Sequence, residues 1–347
     1  MTRLLLPILA CLCMLVQNRS LAQQETKNVL TGRLVDAESG LPLPSANVYL
    51  SYTTIGAVTS PDGKFRITNI PTGVYDLVAS LLGYERIVKS VTIAPGDSLF
   101  LDLALNASML RTGEVDVVAD QPKEWRENLD RFTKAFIGDT PNAEKCRILN
   151  PEVIEFTYDP KAHNLFATSD SIIRIENDAL GYAISLVLAK FAWNTEMNVG
   201  VYVIYPKFRE LPTADAGQRE TWEANRQICY EGSLKHFLHA IADGTAKQDE
   251  FHCFAEGRRK RISGVDIMVD PEELLAKDTD ALPYRWIAFP GSLRVEFRRG
   301  IQTKVTILRL KEKAALVDPY GNLVNPLSME VSGSWAKYRV ADLLPMH

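Results

Sequence analysis

Thr59-Ser60-Pro61-Asp62-Gly63-Lys64-Phe65-Arg66-Ile67, followed by Ile70-Pro71-Thr72-Gly73-Val74-Tyr75-Asp76-Leu77-Val78-Ala79-Ser80, is the stretch on which the fold turns. Phe65, Ile67, Tyr75, Leu77 and Ala79 recur with a period of two, which sends alternate side chains to one face of a strand. In Pro61-Asp62-Gly63, proline presets the first central angle of a tight turn and glycine accepts the left-handed one. The spacing predicts that 57–59 reverses into 64–66, and that the five apolar side chains sit on two neighbouring strands facing an interior between sheets.

The same pattern extends in both directions. Strands are predicted at 29–35, 47–50, 57–59, 64–67, 73–80, 85–93 and 98–105, separated by Glu38-Ser39-Gly40, Pro61-Asp62-Gly63, Pro71-Thr72-Gly73 and Ala94-Pro95-Gly96-Asp97. Short strands, close turns and no helical period predict an antiparallel sandwich complete within 28–106. Gly56 and Gly63-Lys64 do not make a phosphate loop, because the glycine spacing is too long and an apolar strand follows.

Gly32-Arg33-Leu34-Val35-Asp36, Gly40-Leu41-Pro42-Leu43-Pro44-Ser45-Ala46-Asn47-Val48, the two stretches quoted above and Leu82-Gly83-Tyr84 together resemble the carboxypeptidase regulatory-like domain. The resemblance implies a transthyretin-like Greek-key β-sandwich of the kind found in exported proteins of the Bacteroidetes, with no catalytic residue of its own. Thr112-Gly113-Glu114-Val115-Asp116-Val117-Val118-Ala119 resembles the linker that joins such a module to large outer-membrane transporters. A barrel of ~22 strands needs roughly 220 residues for its strands alone. Only 227 residues follow Asp120, so the module is expected to stand in front of something else.

Arg3, the apolar run 4–16 and Ser20-Leu21-Ala22 have the pattern of an export signal over 1–22, with cleavage expected after Ala22. Thirteen apolar positions fall short of the roughly 20 that a helix needs to cross a bilayer. Ile8-Leu9-Ala10-Cys11 resembles a lipobox, which makes lipidation of Cys11 the alternative. The expected location is the periplasm or the outer membrane. Cleavage would leave Cys146, Cys229 and Cys253, too few for a disulfide framework, and buried free thiols are expected.

The 347 residues are 46% hydrophobic and 24% charged, enough apolar material for about two domains. A net charge of −4 lacks the basic excess that a phosphate backbone requires, so nucleic acid is excluded as a partner. Residues 107–123 are expected to be a linker, and 124–347 a larger, mostly β (α+β) domain with one or two helices. Trp125, Leu129, Phe132 and Phe136 give one helix, and 215–242 gives a longer one with a possible break near Gly232-Ser233. Strands are expected at 153–158, 165–169, 172–176, 183–193, 198–205, 260–269, 286–299, 303–310 and 334–340, with a turn at Pro319-Tyr320-Gly321-Asn322. Asn142-Ala143-Glu144-Lys145-Cys146-Arg147-Ile148-Leu149-Asn150-Pro151, Ile175-Glu176-Asn177-Asp178-Ala179-Leu180-Gly181-Tyr182 and Tyr230-Glu231-Gly232-Ser233-Leu234-Lys235-His236-Phe237 resemble the C-terminal domain of an uncharacterised two-domain family, which implies no activity.

Neither His-x-x-Glu nor His-Glu-x-x-His occurs around His163, His236, His239, His252 or His347, so no metallocarboxypeptidase zinc motif is present. His236 and His239 could share one helix face with Cys253 and His252 nearby, but capping or solvent contact is the commoner fate of such a pair. Cys146 or Cys253 with His252 makes a poor nucleophile pair, because adjacent strand residues point apart. Arg258-Arg259-Lys260-Arg261 could dock on anionic headgroups or glycans, but is read first as a solvated turn balanced by Asp249, Glu250 and Glu256. Glu176-Asn177-Asp178 and Glu220, Glu223 and Arg226 are read as solvated charge. Trp193, Trp222, Trp286 and Trp335 could stack on sugars, or be core.

The sequence therefore points to an exported, non-catalytic binding or scaffolding protein of the cell envelope. No catalytic, cofactor or metal residue is assigned, and the partner is an envelope protein or glycan. The alternatives are an envelope hydrolase with its site in the C-terminal domain, and a carbohydrate-binding module presenting aromatics on a flat face.

Overall fold

The computed structural model describes residues 28–108, 121–256, 267–276 and 284–346. The expected leader and Cys11, most of the 107–123 linker, the basic run at 258–261 and His347 lie outside them.

Seven strands make the N-terminal unit: β1 (Asn28–Asp36), β2 (Asn47–Leu50), β3 (Gly56–Val58), β4 (Lys64–Ile70), β5 (Gly73–Ser80), β6 (Ile87–Ile93) and β7 (Ser98–Leu105). They form two sheets, β4-β1-β7 and β3-β2-β5-β6. Phe65, Ile67, Tyr75, Leu77 and Ala79 are all buried in the core between them. The predicted interior is correct, but its geometry differs from the expected neighbouring strands. β4 and β5 belong to opposite sheets and face each other across the core. The Pro61-Asp62-Gly63 turn, with Gly63 at φ +73° and its N–H on the Ser60 carbonyl, carries the chain from one sheet to the other. A second departure from the antiparallel expectation is β7, which runs parallel to β1 from Val29↔Ser98 to Asp36↔Leu105. The chain reaches β7 by crossing over from β6 in the other sheet, so no hairpin imposes an antiparallel sense.

The next unit begins with α1 (Lys123–Phe136), which buries Phe132 and Phe136. It packs on a six-stranded sheet of β8 (Cys146–Ile148), β9 (Glu155–Asp159), β10 (Asn164–Thr168), β11 (Ile173–Asn177), β12 (Tyr182–Asn194) and β13 (Val199–Glu210). β12 and β13 pair over nearly their whole length, and β13 is an edge strand.

The predicted long helix is two helices, α2 (Ala216–Tyr230) and α3 (Leu234–Asp243), which brings the α-helices among the described residues to three. Asp215 caps α2 by accepting from the Gly217 and Gln218 N–H groups, and the Ser233 hydroxyl caps α3 by accepting from the His236 N–H. Between them Gly232 sits at φ +61° with the Phe297 ring where a Cβ would lie, so only glycine fits the break.

α3 covers a second core built on β14 (Phe251–Glu256), β15 (Ile267–Val269), β16 (Arg285–Ile287), β17 (Ser292–Arg299), β18 (Gln302–Leu310), β19 (Ala315–Val317) and β20 (Met329–Gly333). The sheets are β15-β14-β17-β18-β20 and β16-β19. The single strand expected at 286–299 is broken at Pro290-Gly291 into β16 and β17, which belong to different sheets. The strand expected at 334–340 is instead a short 3-10 turn, Ser334–Lys337, because Trp335 is buried and its indole donates to the Gly232 carbonyl at 2.6 Å. The Pro319–Asn322 turn forms as expected, on the buried Asp318 carboxylate, which accepts from the Tyr320 and Asn322 N–H groups.

After this second core the chain returns to the first. Val340 and Ala341 are buried beside α1, and the Ala341 carbonyl accepts from Asn177 Nδ2 at 2.8 Å. The chain then passes Lys235, whose ammonium donates to the Pro345 and Met346 carbonyls, and ends its described course at Met346, whose N–H donates to the Tyr52 carbonyl of the sandwich. The sandwich also docks on the six-stranded sheet through Tyr49 and Val78 against Val187.

Candidate functional site

A groove of about 770 Å³ lies between the first and second cores, and its lining is predominantly apolar. One wall is the start of β13 at 198–202 with Trp193, and the other is 329–332 of β20 with Leu327. Leu234, Lys235 and Leu238 of α3 and residues 342–344 of the returning chain complete it, and Tyr52 closes the sandwich end.

Main-chain directions follow from hydrogen bonds nearby. Tyr52 N–H donates to the Pro206 carbonyl at 2.7 Å, and Phe208 N–H donates to the Thr53 carbonyl at 2.9 Å, so 206 and 208 face away from β12. Pro206 has no N–H to contribute to a ladder, which suits an outward position on an edge strand. On β20, Lys311 N–H donates to the Ser328 carbonyl at 2.8 Å, which turns 328 and its even-numbered successors toward β18 and leaves Met329 and Val331 facing outward.

Cys229, Asp342 and Lys235 are titratable groups that border the groove, and burial pulls the Lys235 ammonium down to about 8 while it donates to the Pro345 and Met346 carbonyls. Cys229 is buried, its sulfur accepts from Asn142 Nδ2 at 3.0 Å, and burial pushes its thiol up to about 11. Asp342 accepts from the Thr140 hydroxyl and from Asn142 Nδ2, each at 2.9 Å, and burial holds its carboxyl above the usual range. Asp342 holds the returning chain against residues 140–142, and Cys229 ties α2 to the same Asn142. The residue signals for this site were weak, because its walls come from four distant segments. Pro206 inside an apolar strand was the one local hint of a free edge.

The residues singled out by sequence do not converge. His236 Nδ1 accepts from the Gly232 N–H at 3.0 Å and its Nε2 lies 3.7 Å from Asp249, whereas His239 pairs with Tyr230 at 2.7 Å and Asp243 at 3.2 Å. The two imidazoles therefore hydrogen-bond different groups and face different carboxylates, although Tyr230 touches both. His163 faces Glu196 on an exposed turn. Cys253 is fully buried in the second core while His252 lies on the opposite face of β14, as a period of two requires. No group of three or more His, Cys, Asp or Glu that could hold a metal ion occurs among the described residues. Cys146, Cys229 and Cys253 are free thiols, and burial pushes Cys146 and Cys253 up to about 12. Such thiols carry almost no thiolate at neutral pH.

Trp193, Trp222 and Trp335 are buried, and Trp286 is 41% exposed. The other exposed aromatics, Phe100 and Phe166, lie on different sheets from Trp286, so these three rings share no flat face. Glu176 and Asp178 both face Arg147, and Arg226 pairs with Glu210 and stacks on Tyr182. A smaller hollow of about 360 Å³ beside Arg226 is lined by groups of this kind, with Arg219 donating to the Thr213 carbonyl. Among the described residues no helix is long and apolar enough to cross a membrane.

The family model described as CarboxypepD_reg-like domain matches residues 30–117. A TonB-dependent receptor of Formosa agariphila is 35% identical over 97 residues, which is 28% of this chain and 8% of the receptor. Among solved structures, the pilus 2b backbone protein of group B streptococcus is 18% identical over 24% of this chain and 42% of its own, with a TM-score of 0.21. A DUF3823 family protein from Bacteroides ovatus is 12% identical over 54% of this chain and 82% of its own, with a TM-score of 0.20. Scores this low make neither structure a relative of the whole fold. The seven-stranded sandwich and the family match coincide, and residues 30–117 of this mainly β chain are a CarboxypepD_reg-like domain.

Proposed function

We propose that the chain is an exported, non-catalytic binding or scaffolding protein of the cell envelope, with the groove between β13 and β20 as its docking surface. The observation that carries this reading is the groove itself, a predominantly apolar channel of about 770 Å³ bounded by two sheet edges. Concave apolar sites with few polar groups are the usual form of a binding site. The titratable groups at its wall support binding over chemistry, because Cys229 is held protonated, Asp342 is taken up by Thr140 and Asn142, and Lys235 is taken up by the Pro345 and Met346 carbonyls. Export and envelope placement rest on the expected leader at 1–22 and on the receptor from Formosa agariphila that shares the N-terminal module.

Capture from envelope extract with three forms of the full chain tests the reading. Leu327→Glu places a charge on a half-exposed position of the groove, and Phe100→Glu places one on β7, far from it in the fold. Partners retained by wild type and Phe100→Glu but lost from Leu327→Glu are expected. An unchanged partner set with Leu327→Glu, or hydrolysis of an envelope polymer that Asp342→Asn abolishes, would refute it.

A further inference from the structure

We propose that the occupant of the groove is an extended peptide segment of a partner protein, which adds as a strand to the outer edge of β13 beside Gly200 and Tyr202. This rests on the binding reading above and names its ligand class. The starting point is the pair of main-chain bonds at Pro206 and Phe208, which turn the even-numbered residues of β13 outward. The irregularity in the β12–β13 ladder is an extra residue in β12, between Leu188 and Lys190, so the alternation in β13 runs unbroken back to Gly200. Gly200 and Tyr202 therefore direct their N–H and C=O groups away from β12, and among the described residues none of these groups has a main-chain partner on that side; Ile204, turned the same way, is buried in the first core and marks where the accessible edge ends.

The same edge already receives a strand a few residues further on. Tyr52 and Thr53 pair with it in the parallel sense at Lys207, through the bonds to Pro206 and Phe208. The proposed site continues an interface the fold already uses. Across the groove the outward main chain of Met329 and Val331 gives the second wall the same character, while Leu234, Leu238 and Leu327 offer apolar surface to alternate side chains. A lipid or a sugar offers no ladder of N–H and C=O groups at strand spacing, whereas an extended peptide does. Four paired residues would cover the 199–202 edge, about 13 Å at ~3.3 Å per residue.

The probe is a blocked peptide of alternating threonine and valine with lysine ends, compared with the same peptide N-methylated at every second residue in each of the two possible phases. Binding to the full chain is followed by fluorescence polarisation and by amide hydrogen exchange. Strand addition predicts that the unmethylated peptide slows exchange at Gly200 and Tyr202 by roughly tenfold or more, and that one methylation phase weakens binding by about tenfold while the other does not. Equal binding of all three peptides overturns strand addition and leaves the binding reading standing. Binding without slowed exchange at those two amides, or no binding at millimolar concentration, also overturns it. Slow exchange there in the peptide-free protein would mean the edge is already covered, by residues 109–120 if independent of concentration and by a second copy if not, and either result overturns the proposal. Failure of the binding reading itself is read separately, from the Leu327→Glu capture.

Discussion

Replacing Asn177 by alanine should cost this protein about 3–5 kcal/mol, more than any surface feature would suggest. Asn177 ends β11 with no solvent exposure. Its Nδ2 donates to the Ala341 carbonyl at 2.8 Å, and its Oδ1 accepts from the Ala179 and Leu180 N–H groups at 3.1 Å each. All three partner residues are buried, so Asn177→Ala leaves three main-chain groups without water or protein to satisfy them. Each buried main-chain group left unpaired costs about 1–3 kcal/mol, and three of them near the lower end of that range give the total. Urea unfolding followed by tryptophan fluorescence measures the change, since the Trp222 indole donates to the adjacent Asp178 carbonyl. The midpoint should fall with little change in slope, and Tm should drop by roughly 6–15 °C. Asn106→Ala, which removes only an exposed contact to Glu85, is the control and should stay within about 0.5 kcal/mol. A loss below about 1 kcal/mol for Asn177→Ala would refute the claim that this side chain ties the returning chain to the sheet.

Three further expectations follow from the same geometry. Gly232→Ala must place a Cβ 2.3 Å from the Phe297 ring at φ +61°, so thermal denaturation should show a loss of about 2–4 kcal/mol, against well under 1 for the open position Gly217→Ala. Burial holds the His236 imidazole below its ordinary value despite nearby Asp249. The unfolded chain therefore takes up the proton first, and stability contributed here is lost as pH falls through about 6.5; His236→Gln should flatten that part of a stability profile taken from pH 5 to 8. For the thiols the sign is reversed: Cys146, Cys229 and Cys253 stay protonated in the fold to about 12, 11 and 12, while the unfolded chain ionises near ~8.5. Their contribution is complete below that pH and declines above it, a decline that a triple alanine variant should lack. Iodoacetamide at pH 8 should label them only after unfolding.

The sandwich was legible because its information is local. Pro-x-Gly turns and the alternation through Phe65, Ile67, Tyr75, Leu77 and Ala79 specify strands and their inner faces without knowledge of partners. Which strand pairs with which has no such local record, so the crossing of β3 to β4 between sheets and the parallel β1–β7 pair could not be read. In the C-terminal region the failures have the same origin. Trp335 converts an apparent strand into a 3-10 turn by finding a buried acceptor about a hundred residues away, at Gly232. The break between α2 and α3 could be read at Gly232-Ser233, whereas the groove could not, since its walls at 198–202, 234–238, 327–332 and 342–346 meet only after folding.

Val340 and Ala341 give the first core a discontinuous ancestry along the chain. Its sheet and α1 are made before residue 211, yet the plug that seals it arrives only after the whole second core has been threaded. During synthesis the earlier sheet therefore waits with an unfilled seam until residues 340 and 341 have been made. The connectivity makes closing this seam a long-range event, since the residues it joins lie more than a hundred apart.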